Sequence, residues 1–411
     1  MFLEFFRNEA KSLRSEADAV PLALIMQSSP QQPLTTLKEL QARGFYTYLP
    51  TPEQLLEGEK SLKGLSDRMK KVLEAAIAVQ RSGRRESLEE KLKDVLGGLR
   101  NTLEMADYNV SNMYEIISTF ISTMGSMLVV TLAFMGGGTV SAAVTLALLG
   151  SIISSFIGLT IYPLEFSIPT PPWKSYLPLL LAIPLYLILS FFKVPFPLTI
   201  SLAVAGALPA VLHFIYIRDQ MREIVKSREM VRVAARAVGN PYHALVREGF
   251  IKDPSDLLKP AGSLVTAARL ALYQILLHGG YEFLERLEDF YSRIVDFLVR
   301  LRSKTRMFMM YAIIEAVIVS SIYAFTVSTK SLFSVGGEYL AKAGINMSGL
   351  TELENGIDLV LASVAISLSI ATSSAREGKP TFFTIYLPIL AVLLAVSYSV
   401  TLMIAPSLIA P

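Results

Sequence analysis

Charged and apolar residues alternate in long blocks along this chain. Residues 1–113 and 217–306 mix the two types at helical spacing, whereas the stretches that follow each block run almost free of charge. A helix needs roughly 20 apolar residues to cross a bilayer. The uncharged runs supply seven candidates, at 116–135, 140–162, 176–192, 196–216, 307–327, 357–372 and 382–402. The pattern predicts an all-α integral membrane protein with about seven transmembrane helices and two cytoplasmic helical-bundle arms. The expected divisions are a first arm at 1–113, a four-helix membrane block at 114–216, a second arm at 217–306 and a three-helix membrane block at 307–411.

Within the arms, apolar positions recur every three or four residues, the spacing of one helix face. Leu65, Met69, Val72, Ala76 and Ile77 share a face of a helix that Gly83 stops. Ser87 followed by Glu90 reads as a capping box opening the next helix, with the stripe Leu88, Leu92, Val95, Leu99, Leu103 and Ala106. In the second arm Leu264, Ala268, Ala271 and Ile275 run to a stop at Gly279 and Gly280, and Leu284, Leu287, Tyr291, Ile294, Leu298 and Leu301 form the next stripe. Short segments recur between the arms: ELQARGF (39–45) faces ALVREGF (244–250), and MYEII (113–117) faces MYAII (310–314). Gly83 lies 30 residues before Met113 and Gly280 lies 30 before Met310, although at that spacing Leu88 faces Glu285 and the last helices need a one-residue slip. The arms read as two copies of one module.

Charge orients these blocks. Of 38 Lys and Arg residues, 16 lie in 1–113 and 16 in 217–306, against 16 and 11 Asp and Glu. Lys and Arg near membrane segments mark the cytoplasmic side, so both arms and the N-terminus are expected in the cytoplasm of a multi-pass protein of the cell membrane. Four spans between the arms return the chain to its starting side. The loop 328–356, which carries Glu338, Glu352 and Glu354 against Lys330 and Lys342, is then external, and the turn 373–380 with Arg376 and Lys379 is cytoplasmic. A glycosylation sequon, Asn346-Met347-Ser348, falls in that external loop. The first 19 residues interleave Phe and Leu with charges and do not form a secretory signal, while 19–26 is apolar but too short to span. Segment 176–192 is also short, and Lys193, Pro195 and Pro197 mark either an external turn or a re-entrant break.

No pattern for covalent chemistry emerges. There is no G-x-x-x-x-G-K-[ST] loop, no G-x-S-x-G and no H-E-x-x-H, and the MGGGTV run (135–140) reads as a tight external turn. Without cysteine, and with His213, His243 and His278 in unrelated contexts, no metal site, cofactor or catalytic residue is expected. Neither arm is basic enough for nucleic acid. Two sets of residues stand out. Arg81, Arg84, Arg85, Lys91 and Lys93, with Arg286, Arg293, Arg300, Arg302, Lys304 and Arg306, form basic clusters suited to membrane lipid or to an acidic partner. Ser118, Ser122, Gly125 and Ser126 put small residues on one face of the first span, for helix packing or for a foreign helix, and Glu315 is an ionisable residue inside the fifth span. Glu115 and Asp358 lie at span ends.

This layout of two helical arms, each entering the membrane through an MY-x-II junction at 113–117 and 310–314, resembles the type II secretion system F domain family. That family supplies inner-membrane platforms of type IV pili, type II secretion and the archaellum. The four-span and three-span blocks are most similar to archaeal members and to the tight-adherence pilus branch. The resemblance implies a non-enzymatic platform, a homo-oligomer such as a dimer, that couples a separate hexameric secretion ATPase to pilin-like subunits drawn from the bilayer. It implies that Arg81, Arg84, Arg85, Lys91 and Lys93, and Arg286, Arg293, Arg300 and Arg302, meet the motor, while the groove at Ser118, Ser122, Gly125 and Glu315 meets the subunit. The alternative class is a secondary transporter or permease, which would carry its repeat inside the membrane.

Overall fold

A computed structural model describes residues 2–57, 59–84, 90, 101, 104–105, 108–109, 111–112, 115–116, 124–162, 168–333 and 348–409. Among these, every regular element is helical. The first helices are α1 (Phe2–Ser28), α2 (Pro33–Ala42), α3 (Pro52–Glu57) and α4 (Asp67–Ser82). Next come α5 (Ser126–Met135), α6 (Thr139–Ile161), α7 (Ala182–Phe191) and the long α8 (Pro197–Ala235). The chain continues through α9 (Pro241–Arg247), α10 (Ser263–His278), α11 (Phe283–Thr305), α12 (Met307–Phe333), α13 (Ser348–Glu377) and α14 (Leu387–Ile409). Two compact units result: one of Met1–Met105, Pro163–Ile168 and Arg218–Leu301, the other of Ala106–Tyr162, Pro169–Ile217 and Arg302–Pro411.

The first unit gathers both arms into a single body. Its core is the apolar segment of α1 that is too short to span a membrane: Ala19, Val20, Leu22, Ala23, Leu24 and Ile25 are at most 1% exposed. Fully removing a Leu or Ile side chain from water contributes roughly 1.5–3 kcal/mol, so this segment is a packing face for α4 and α10. From those helices Met69, Val72, Leu73 and Ala76, and Leu264, Ala268, Ala271 and Ile275, are buried, whereas Ile77 is only half-buried. The stripe of α11 behaves as its spacing predicts, with Leu284, Leu287, Tyr291, Ile294, Leu298 and Leu301 all buried.

One local design occurs twice in this unit. α2 and α9 each begin with a proline, and each ends in a left-handed glycine, Gly44 at φ 88° and Gly249 at φ 74°. In each the following Phe N–H reaches back to a helical carbonyl, Phe45 to Leu40 at 2.9 Å and Phe250 to Leu245 at 3.0 Å. This is a Schellman-type stop. A reciprocally capped turn follows: the Thr51 N–H donates to Gln54 Oε1 (3.0 Å) before Pro52, as the Asp253 N–H donates to Asp256 Oδ2 (3.2 Å) before Pro254. Then come two helices of 16 residues, α4 and α10, capped by Gly83 and Gly279. By these caps Gly83 corresponds to Gly279, one residue before the Gly280 of the sequence comparison, while the stripe from Leu88 to Ala106, on which the slip was read, lies outside the described residues. The capping box at Ser87 lies outside the described residues apart from Glu90.

Among the described residues, six helical segments are long and apolar enough to cross a membrane, as befits a multi-pass membrane protein. They match the second to seventh expected spans. The first, 116–135, is described mainly through the ten-residue apolar helix α5. The short span gains length from its local geometry. Trp173–Leu181 is a 3₁₀ helix of 9 residues and α7 adds 10; at about 2.0 and 1.5 Å rise per residue they extend roughly 33 Å together, enough for the hydrocarbon core. This span is 6% buried and α13 is 67% buried, so the first is peripheral and the second central.

α13 also corrects two expectations. It begins at Ser348, well before the expected 357, and so takes up residues read as external loop. Its acids hold other helices. The Gly138 and Val140 N–H groups donate to Glu352 at 2.9 and 3.4 Å, at the start of α6, and the Leu198 and Thr199 N–H groups donate to Asp358 at 2.7 and 2.9 Å, at the start of α8. Carboxylates at helix N-termini satisfy donors that have no partner within the helix. Close approach allows this, because a Cβ on Gly349 would lie 2.6 Å from the Leu132 carbonyl oxygen.

Candidate functional site

The expected motor-binding cations divide on structural grounds. Arg81 and Arg84 are exposed at the end of α4, where a cation also suits the helix dipole. Arg85, Lys91 and Lys93 lie outside the described residues. On α11, the stripe that buries Leu287, Tyr291, Ile294 and Leu298 leaves Arg286, Arg293 and Arg300 on the exposed side. Arg286 lies over the Phe283 ring, 5.8 Å from its centroid, and Arg293 pairs with Asp289 at 2.8 Å. These pairings leave the face mixed in sign.

Arg302 differs from its neighbours. Its guanidinium donates to Glu377 Oε2 at 2.6 Å, and Tyr386 Oη donates to the other carboxylate oxygen at 2.9 Å. The side chains are 18% and 3% exposed. The expectation of an exposed docking Arg302 is therefore corrected: it ties the start of the second membrane block to the end of α13. Removing one partner of a buried pair typically costs about 3–5 kcal/mol, so Arg302→Ala is expected to destabilise this unit and is unsuitable as a docking probe.

Of the intramembrane set, Ser118 and Ser122 lie outside the described residues, whereas Gly125 is buried just ahead of α5. Glu315, on α12, is 1% exposed. Its burial separates it from exposed residues of the same helix, Ile314 and Ile318, which are 48% and 40% exposed. His213 holds two turns together: its ring nitrogens lie 2.6 Å from Ser175 Oγ and 2.6 Å from Thr384 Oγ1. His278 sits beside Glu39, 2.9 Å from Oε2.

A further convergence was not legible in the sequence. In the first unit, Arg222 and Lys226 of α8, Lys252 and Lys259 of the segment after Gly249, and Arg269 of α10 line one cavity of about 490 Å³. The five cations come from three stretches of chain, none conspicuously basic, so spacing alone gives no signal. No group of His, Asp and Glu able to hold a metal ion occurs among the described residues. Comparison of the chain with protein-family models, with curated proteins and with solved structures found no match.

Proposed function

We propose that the chain is a membrane platform for assembling a type IV-like filament, in which the duplicated helical unit docks a separate secretion ATPase and the membrane helices receive pilin-like subunits. The observation that carries this reading is the position of the repeat. The paired helix stops at Gly44 and Gly249 and the paired capped turns at Pro52 and Pro254 lie outside the candidate spans. A secondary transporter would carry its repeat in the membrane, around broken helices and a polar midplane site. In this reading the unit faces the cytoplasm, where its Lys and Arg belong, and it acts without chemistry of its own. The exposed Arg286, Arg293 and Arg300 face supports docking, together with Arg81 and Arg84.

The test is co-purification of the full chain in detergent with the secretion ATPase of its own cell. Arg286→Glu, Arg293→Glu and Arg300→Glu combined should lower ATPase affinity at least tenfold while leaving membrane insertion intact. Reconstituted chain that transported a solute, with no motor or filament subunit present, would sink the platform reading in favour of a carrier.

A further inference from the structure

We propose that the basic cavity of the first unit binds the phosphate group of an anionic ligand. The charge balance is one-sided. Five cations line it, while the acids there are Glu223 and Asp256. Asp256 is already engaged: Lys259 Nζ lies 2.5 Å from Oδ1, and the Lys252 and Asp253 N–H groups donate to Oδ2 at 2.8 and 3.2 Å. The Lys259 ammonium, with those backbone donors, holds the Asp256 carboxyl well below the usual carboxylate range. It stays an anion, and its charge is spent within the turn it caps.

Other cations have no such partner. Arg222 lies 3.9 Å from Asp219, a long pair, and among the described residues no carboxylate is within ion-pair distance of Lys226, Lys252 or Arg269. Arg269 is oriented instead by the Lys259 carbonyl, to which it donates at 3.4 Å. Three like charges line one cavity, and a phosphate oxygen accepts charge-assisted hydrogen bonds from several at once. A volume of about 490 Å³ also falls within the size of small-ligand sites. The wall includes Met230, Phe250 and Leu257, so the ligand has an apolar portion beside its phosphate.

Two sources supply such a group: an anionic phospholipid headgroup and a soluble phosphate compound. Position along α8 favours the lipid. Arg222 follows Ile217, where the apolar run of that helix gives way to charge, by five residues, about 8 Å of helical rise. Basic residues that follow a candidate span this closely along the chain attract anionic headgroups. The inference is independent of the platform reading, since it holds equally for a carrier.

The experiment uses the full chain in a neutral detergent. Dioctanoyl phosphatidylglycerol, dioctanoyl phosphatidylcholine and inorganic pyrophosphate are each titrated, and binding is followed by native mass spectrometry. The expected result is saturable binding of phosphatidylglycerol that weakens at least tenfold in Lys226→Gln with Arg269→Gln, persists in Lys226→Arg, and is unaffected in Arg286→Gln with Arg293→Gln. Saturable pyrophosphate binding with the same dependence on Lys226 and Arg269, and no preference for phosphatidylglycerol, keeps the phosphate site and assigns it to a soluble ligand. Absence of saturable binding by both, or binding indifferent to the Lys226 and Arg269 pair, overturns the proposal. Hydrogen exchange over 263–278 confirms that each variant is folded.

Discussion

The two copies in the first unit start from the same local design and end differently, one closed and one open. Ser15 stands 30 residues before Phe45, as Gln220 stands 30 before Phe250, and each belongs to the helix that precedes its copy. In the first copy that helix seals the turn: Ser15 Oγ accepts the Ser66 N–H at 2.8 Å, and Tyr48 Oη donates to Asp18 at 2.9 Å. In the second, the residues at the places of Asp18 and Tyr48 are Glu223 and Asp253, both exposed, and the space between helix and turn is the basic cavity. Equal backbone caps therefore do not dictate equal packing. Tyr46 is buried and Tyr48 half-buried in one copy, whereas their places in the other are taken by Ile251, which lines the cavity, and by the exposed Asp253.

The largest expected asymmetry lies just after the 16-residue helices. Gly280 occupies the place that Arg84 takes in the first copy. A Cβ on Gly280 would lie 2.7 Å from Pro30 Cγ, and its φ of 80° is already costly for any other residue. Left-handed strain of roughly 1–2 kcal/mol adds to overpacking of 1–3, so Gly280→Ala should destabilise the unit by about 3 kcal/mol. Arg84→Ala, at an exposed position, should change stability by less than about 0.5 kcal/mol. Chemical denaturation of the full chain in detergent, read by far-UV circular dichroism, measures both. Equal effects would break the account of a glycine pinned by Pro30.

The second contrast is electrostatic. Burial raises the Asp18 carboxyl above its usual value, against hydrogen bonds from Tyr48 and Ser263 and the charge of Arg14. A carboxyl whose folded pKa is raised binds its proton more tightly in the folded state, so its contribution to stability falls as pH rises from 3.8 through the folded value. Asp18→Asn is expected to raise the melting temperature at pH 7, with the gain shrinking as pH falls toward 3.8. Glu39 has the opposite sign: burial pushes it up, but His278 and Arg43 outweigh that and lower it, so its stabilisation is present above 4.5 and is lost as pH falls through the folded value. A lower melting temperature for Asp18→Asn at pH 7 would show that the carboxylate is a net stabiliser.

These contrasts show where the sequence was readable. Spans and helix stripes were legible because hydrophobic burial is periodic and local: Leu284 to Leu301 fell where spacing put them. The repeat was legible through Gly44 and Gly249, since a left-handed stop favours glycine whatever surrounds it. Long-range pairing was not. Arg302 read as one cation of a surface run because Glu377, 75 residues onward, leaves no mark near it. Glu352 and Asp358 read as loop and span-end acids for the same reason, as their partners are N–H groups of distant helices that any sequence would supply. The merging of both arms into one unit, and the basic cavity of the second copy, also depend on surfaces that meet far from each other in the chain.

Smaller effects sharpen the equivalence itself. At Gly44 and Gly249 an added Cβ meets nothing within 4 Å, so alanine there tests the backbone alone. Each substitution should cost about 1 kcal/mol, the left-handed penalty reduced by a less flexible unfolded chain. Costs differing by more than that amount would mean that the two stops are not equivalent.

The smallest test attempts to make the second copy like the first. α4 is capped by Ser66, whose hydroxyl accepts the Met69 N–H at 3.3 Å, whereas α10 begins after Gly262 with no side-chain cap. Gly262 has φ −57° and ψ 150°, a conformation open to serine, and a Cβ there would meet only Gln220 Oε1 at an ordinary 3.5 Å. Replacing a glycine cap by serine typically gains a few tenths of a kcal/mol. Gly262→Ser should therefore stabilise α10 slightly and slow hydrogen exchange in its first turn, while Ser66→Ala should cost α4 about 1 kcal/mol. If Gly262→Ser instead loosened that turn, the close approach of Gln220 would be doing what a cap does elsewhere, and the open copy would be held at its helix start by α8.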